Sequence, residues 1–253
     1  MSLFRHVGRR LELTDEGHTL VLRAGELLAH VEEVEAELAS RAGTVHGTVR
    51  VAAFQTAALA LVVPAEERLA DAHPELRIEL LDAEAETSLP ELERGAVDVA
   101  VAEEYEHAPR ARSRAIHREY LEPDEMLLAL PPGHEAARGG GDVELSSLAD
   151  STWVTAGEDT AYSDMLVRMC RATGGFEPDI RHRASDMTVM LALVARGRAV
   201  AMVPALGQPE RDEAVAVRGI AEQRFTRDVF AAVRAVDRER PATRAVVEAL
   251  SAK

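Results

Sequence analysis

The stretch GTVRVAAFQTAALALVVPAEERLADAHPELRIELLD, residues 47–82, holds a strand, a turn, a helix and a second strand in that order. Val49 to Ala53 reads as a buried strand and Phe54-Gln55-Thr56 as a turn. An apolar helix follows from Ala57 to about His73, with Pro64 kinking or restarting it. Leu76 to Leu81 alternates as the next strand. A strand–helix–strand unit of this length is the repeating element of an α/β layer.

The unit recurs downstream. Ser88 can cap a short helix that ends at Gly95, and Val97 to Val101 is a strand. Met126 to Leu130 is a strand closed by Pro131-Pro132-Gly133. Gly139-Gly140-Gly141 leads to a short helix near Leu145. Strands at Trp153–Thr155, Ile180–Arg183 and Ala199–Val203 alternate with helices at 161–172 and 187–196. Strands over 215–218 and 227–236 and a closing amphipathic helix, 242–250, complete the chain. This alternation implies α/β layers with parallel pairing. The Pro-Pro-Gly and triple-Gly stretch divides them near residue 131 into two α/β subdomains of similar size. Facing subdomains make a cleft, and such sheets bind ligands at strand carboxyl ends and helix N-termini.

Upstream, a different pattern holds. Leu13, Gly17, Leu20, Ala24, Leu27, Val31, Val34 and Leu38 alternate at spacings of four and three, a heptad seam. Thr14 is placed to cap this helix, with Asp15 and Glu16 in its first turn. The helix should run to about Ala42, and Gly43 to Gly47 reads as a hinge. The seam suits pairing with a second helix; a surface helix lying on a domain is the other reading. Before it stands a basic patch of Arg5, Arg9 and Arg10.

Charge separates these regions. The chain of 253 residues carries −15. Residues 1–10 hold three arginines and no acid, which leaves −18 on the rest. Nucleic acid would therefore be met at the basic front, not by the body. The single cysteine, Cys170, sits in an apolar pattern and reads as a small buried hydrophobe. No signal peptide opens the chain and no apolar run reaches transmembrane length, so a cytoplasmic protein with no membrane partner is expected.

Catalytic signatures are missing: there is no G-x-S-x-G, H-E-x-x-H, phosphate-loop or paired C-x-x-C pattern. The nine histidines show no metal-ligand spacing. Neither an enzyme nor a resident cofactor or metal is expected. The turns facing the cleft supply the candidate ligand contacts: Phe54, Gln55, Thr56, Glu103, Tyr105, Trp153, Thr155, Ser185, Asp186, Met187 and Pro204. Each is equally readable as an ordinary helix cap or strand end.

With these residues in view the chain resembles the LysR-type transcriptional regulators. The front matches L-F-x-x-x-G-R-x-L-x-L-T-x-x-G through Leu3, Phe4, Gly8, Arg9, Leu11, Leu13, Thr14 and Gly17. Gly47 to Val51 resembles the first strand of that family's effector domain. Gly95 to Val101 and Leu193 to Pro204 resemble two further segments of it, so the likeness covers nearly the whole chain.

The resemblance implies a periplasmic-binding-protein type II fold preceded by a long linker helix. Residues 1–14 would be the remnant of a winged helix-turn-helix, with Arg5, Arg9 and Arg10 facing DNA. Residues 15–46 would be the dimerising linker, through Leu20, Ala24, Leu27, Val31, Val34 and Leu38, in a homodimer or homotetramer. Residues 47–130 with 231–253 would form one effector-binding subdomain and 131–230 the other. Their crossover segments would lie near Leu130–Pro132 and Phe230–Val233.

Two departures stand out. His6 occupies a position that is usually arginine. The helix-turn-helix that precedes the Leu-Phe pair in the family is not in the chain, so only a full-length protein would read DNA. The implied partner is a small-molecule effector. Many relatives bind organic anions, but acids such as Glu103, Glu104, Glu158, Asp159 and Asp186 lie near this cleft and no arginine clearly does, so a neutral or cationic effector fits as well. A solute-binding protein of the same fold and, further off, a small-metabolite enzyme are the competing expectations.

Overall fold

The computed structural model describes residues 2–252 other than 9, 42–44, 107, 139 and 209–213. For Val7, Arg10 and most of the second half of the first helix it describes the backbone alone. Strands β1 (Phe4–Val7) and β2 (Arg10–Leu13) form an antiparallel ribbon, and helix α1 (Asp15–Arg41) leaves it directly. Thr14 caps α1: its Oγ1 accepts from the Gly17 N–H at 3.1 Å and donates to the Ser2 carbonyl at 2.8 Å. Gly17 is buried, and a Cβ there would stand 2.3 Å from the Leu3 carbonyl oxygen. This seam position therefore seats the ribbon instead of facing a partner helix. The 27 residues of α1 span roughly 40 Å. The expected hinge at 43–47 lies largely outside the described residues.

Strand β3 (Gly47–Ala53) runs into α2 (Gln55–Ala57), which continues through a π turn (Ala58–Val62) into α3 (Val63–Ala72). Pro64 supplies no N–H and crowds the carbonyl one turn back, and the wider π turn accommodates both. Next come β4 (Leu76–Asp82), α4 (Ala85–Glu93) and β5 (Val99–Tyr105). Ser88, expected as a cap, is a buried residue inside α4; Glu84 holds the capping position, with no side-chain cap bond.

The second half contains β7 (Thr152–Thr155), α5 (Ala161–Met169), β8 (Asp179–Arg183), α6 (Met187–Ala195), β9 (Val200–Pro204) and β10 (Ala216–Arg218). Two long strands link the halves, β6 (Ile116–Leu130) and β11 (Phe225–Arg234), and α7 (Pro241–Ser251) closes the chain.

The sheet has nine strands in the order β4-β3-β5-β11-β6-β9-β7-β8, with β10 paired to β6. Pairing within each half is parallel (β3 with β4 and β5; β7 with β8 and β9), as strand–helix alternation requires. The strands that join the halves pair antiparallel, so the sheet is mixed and not parallel throughout. β6 pairs β11 from Ile116 to Met126 and β9 from Met126 to Ala129. Partners thus change at Met126, earlier than the Leu130–Pro132 crossover expected. Residues 116–125 were not legible as a strand because β6 carries charge on both faces, contains Pro123 and skips register at Leu121 opposite Val229/Phe230.

Period-2 alternation divides the core into four layers. Val49, Val51, Val99, Val101 and Val229 pack under α3 and α7, while Ala52, Ala100, Ala102 and Phe230 face α4. In the other half Met126, Leu128, Trp153 and Met202 pack under α5, and Ala129, Val154, Ala201 and Val203 under α6. Each half therefore has helices on both faces of its sheet.

Candidate functional site

The carboxyl ends of the strands from both halves meet around one cavity. It encloses about 60 Å³ of space for the centre of a water-sized sphere. One water needs roughly 10–15 Å³ by that measure, so the space suits a ligand of a few heavy atoms.

The first half contributes Phe54, Gln55 and Thr56 at the start of α2, Glu84 and Glu86 where β4 passes into α4, and Glu103 and Tyr105 from β5. The second half contributes Ala156 after β7, Thr160 to Tyr162 at the start of α5, Ser185, Met187 and Met190 at α6, and Pro204 closing β9. Arg227 of β11 completes the wall.

Arg227 organises this space. Its Nε and Nη2 lie 2.8 Å from Asp124 Oδ2, Nη2 donates to Thr56 Oγ1 at 3.0 Å, and Nη1 reaches the Tyr105 hydroxyl at 3.5 Å. Its guanidinium carbon sits 4.6 Å from the Phe54 ring centroid. Asp124 is satisfied from the other side by the Leu206 N–H at 2.8 Å. The expectation that no arginine lies near the cleft is therefore corrected. A charged residue inside the alternating pattern of FTRDVFAAVR was the signal available.

Near Arg227 stands an acidic group, with Glu103 on the paired strand β5. Carboxyl oxygens of Glu84, Glu86 and Glu103 lie within 4.8 Å of one another. Arg110 Nη2 donates to Glu86 Oε1 at 3.0 Å and Glu103 Oε1 at 3.2 Å. Burial raises the pKa of Glu103 against the lowering pull of Arg227 and Arg110. Desolvation at the carboxyl, then repulsion from Glu103, raises the pKa of Glu84 to about 7, although its residue is exposed at the rim. Burial also raises Tyr105 and Tyr162, so both stay neutral hydroxyls. The Tyr162 hydroxyl donates to the Met202 carbonyl.

Of the residues singled out from sequence, eight line the cavity together: Phe54, Gln55, Thr56, Glu103, Tyr105, Ser185, Met187 and Pro204. Gln55 spans it, its Oε1 accepting from the Met187 N–H of the other half at 2.9 Å. Trp153, Thr155 and Asp186 do not reach it. Strand alternation puts Trp153 into the core against Phe176, centroids 6.3 Å apart, and Thr155 is enclosed behind the wall. Asp186 turns back to cap α6 through the Thr188 N–H at 2.7 Å, and hydrogen bonding from Gln55, then from Thr188, holds its carboxyl below the usual range. Cys170 is a buried thiol pushed up to about 12 by desolvation, and takes no part.

Sequence reading missed Glu84, Glu86, Thr160, Tyr162, Met190 and Arg227. Thr160 was discoverable as an N-cap, since its Oγ1 accepts from the Ser163 N–H at 3.2 Å.

At the front, Arg5 pairs with Glu12 across the ribbon at 3.5 Å. Arg9 and the side chain of Arg10 lie outside the described residues. Along α1, Leu20, Leu27, Val31 and Val34 are exposed and Ala24 is half-buried; the Leu38 side chain lies outside the described residues. Among the described residues no helix is long and apolar enough to cross a membrane.

Comparison with known proteins places these features in a setting. The profile described as "LysR substrate binding domain" matches residues 42–253. The HTH-type transcriptional regulator GbpR of Azospirillum brasilense is 22% identical over 200 residues, covering 79% of this chain, which spans only 58% of that protein. The structure of OxyR from Corynebacterium glutamicum superposes with a TM-score of 0.69 at 21% identity, covering 99% of this chain and 77% of its own. The regulator CbnR, solved with its target DNA, also gives 0.69, at 22% identity over 96% of this chain and 83% of its own.

Proposed function

The chain belongs to the LysR substrate-binding domain family, and from that premise we propose that it senses a small-molecule effector in the cleft between its two halves and passes that signal to a DNA-binding head. Its fold is the periplasmic-binding-protein type II fold of the family's effector domains, and the family comprises transcription regulators, not enzymes.

The observation that carries the reading is the position of the cavity. Its walls come from both halves, and Gln55 of one already bonds the Met187 N–H of the other. A ligand seated there touches both halves at once. It therefore binds one relative orientation better than another and shifts the balance between them. In this proposal residues 47–130 with 231–253 move against 131–230, with β6 and β11 flexing between. The exposed seam of Leu20, Leu27, Val31 and Val34 pairs two copies. The β1–β2 ribbon, with Arg5 and its neighbours Arg9 and Arg10, meets DNA phosphates in the full-length regulator.

The test is a thermal-shift screen of small metabolites, since a ligand that binds the native state raises the melting temperature. Thr56→Ala and Ser185→Ala should remove the shift of any hit. Retention of the shift in both variants would place binding elsewhere and sink the reading.

A further inference from the structure

We infer that the effector is a small organic cation: an amine whose ammonium group sits among the carboxylates of Glu84, Glu86 and Glu103, with a short apolar body against Phe54, Met187 and Met190. This rests on the cleft being the effector site.

The decisive atom is Glu103 Oε2. Glu103 is 3% exposed, it lines the cavity, and Oε2 has no hydrogen-bond partner among the described residues, whereas Oε1 takes the Arg110 donor. A buried carboxylate oxygen without a donor is destabilising, and a donor arriving with the ligand relieves it. The cluster around it is compact enough for one ammonium to reach all three carboxylates. Three N–H donors at tetrahedral angles, each about 2.8 Å from its acceptor, place the acceptors roughly 4.6 Å apart. The three carboxyl oxygens lie within 4.8 Å of one another.

The arginines do not compensate as an anion site would require. All three nitrogens of Arg227 have partners in Asp124, Thr56 and Tyr105. Arg110 is engaged by Glu86 and Glu103. With every carboxyl ionised, Glu84, Glu86, Glu103 and Asp124 outweigh Arg110 and Arg227 by two negative charges. A carboxylate ligand would meet a bare Glu103 oxygen and find no unengaged nitrogen on Arg227. A divalent metal would use the carboxylates alone and leave the apolar wall of Phe54, Met187 and Met190 unused.

The experiment is differential scanning fluorimetry of the whole chain near pH 8, at matched ionic strength, with n-butylammonium, butyrate or calcium as chloride or sodium salts. Butylammonium alone should raise the melting temperature, by about 3–6 °C once it exceeds its Kd roughly tenfold. Glu103→Gln should abolish the shift. Glu84→Gln, at the exposed rim, should weaken it at least severalfold. An amine shift that survives both substitutions overturns the inference. A butyrate shift lost in Thr56→Ala overturns it while leaving the cleft as the effector site. A calcium shift lost in Glu103→Gln makes this a metal site and also overturns it. Silence from all three probes overturns it too, and the cleft reading is judged separately by the metabolite screen with its Thr56→Ala and Ser185→Ala variants.

Discussion

Arg227 and Asp124 face each other as direct cross-strand partners on β11 and β6, with Arg227 Nε 2.8 Å from Asp124 Oδ2. They lie where the sheet passes from one half to the other, with Asp124 two residues before Met126, at which β6 changes partner. Both are buried, at 5% and 3% exposure. Arg227 also holds Thr56 at the start of α2, and Asp124 holds the Leu206 N–H after β9. One ion pair thus links the crossing strands to the start of α2 and to the turn after β9.

Breaking that pair should be costly in either direction. Arg227→Met leaves a buried carboxylate uncompensated, and Asp124→Leu leaves a buried guanidinium. Each should lose about 3–5 kcal/mol, whereas the double variant should lose clearly less than the sum, because an apolar pair carries no stranded charge. Urea unfolding of the four proteins checks this; additive losses would mean the two side chains act independently.

Gln55 should set how readily the cleft closes. Its Oε1 satisfies the Met187 N–H, one of the unpaired donors at the start of α6. Gln55→Ala removes a bond made only when the halves are together. At about 0.5–1.5 kcal/mol, effector affinity should fall roughly 2–12-fold, with little change in the unfolding of either core. Titration calorimetry measures the first, and small-angle scattering of the free protein should show a more open particle.

What the sequence made legible follows from which forces act locally. Strand and helix identities were readable because each half buries period-2 valines and alanines under amphipathic helices, a pattern written within a few residues. Phe54, Gln55 and Thr56 were readable because a turn between a buried strand and an apolar helix has to lie at the strand's carboxyl end. Arg227 was not, because its partner Asp124 is 103 residues away in the chain. Glu84 and Glu86 resembled surface acids, since only the fold brings Glu103 beside them. Residues 116–125 hid as a strand because their place in the sheet comes from the backbone of β11, not from their own alternation.

The seam on α1 should carry the association of two copies. Leu27 is 69% exposed, and Leu20, Val31 and Val34 are exposed with it. Burying an apolar side chain of this size is worth about 1.5–3 kcal/mol, and each dimer has two. Leu27→Glu should weaken association by roughly 100-fold or more, read as a shift toward monomer in sedimentation. An unchanged distribution would move the interface off this helix.

Glu84 should couple stability and effector binding to pH in opposite directions. Its pKa stands at about 7, raised first by desolvation and then by Glu103, with Glu86 and Asp82 adding repulsion and Arg227 opposing. A carboxyl raised above its unfolded value of about 4.3 is favoured by folding in its protonated form. Its contribution is fully present below that value and is lost as pH rises through about 7. Glu103, raised in the same direction, adds to the slope. The free protein should therefore melt at progressively lower temperature between about pH 5 and 8, by an amount reduced by water at the exposed rim. Over the same interval the butylammonium shift should grow, because the ionised carboxyl is what attracts the cation. Glu84→Gln should flatten both trends, and melting curves with and without the amine across this range measure them together. A shift that shrinks as pH rises would contradict the acidic cluster as the cation's seat.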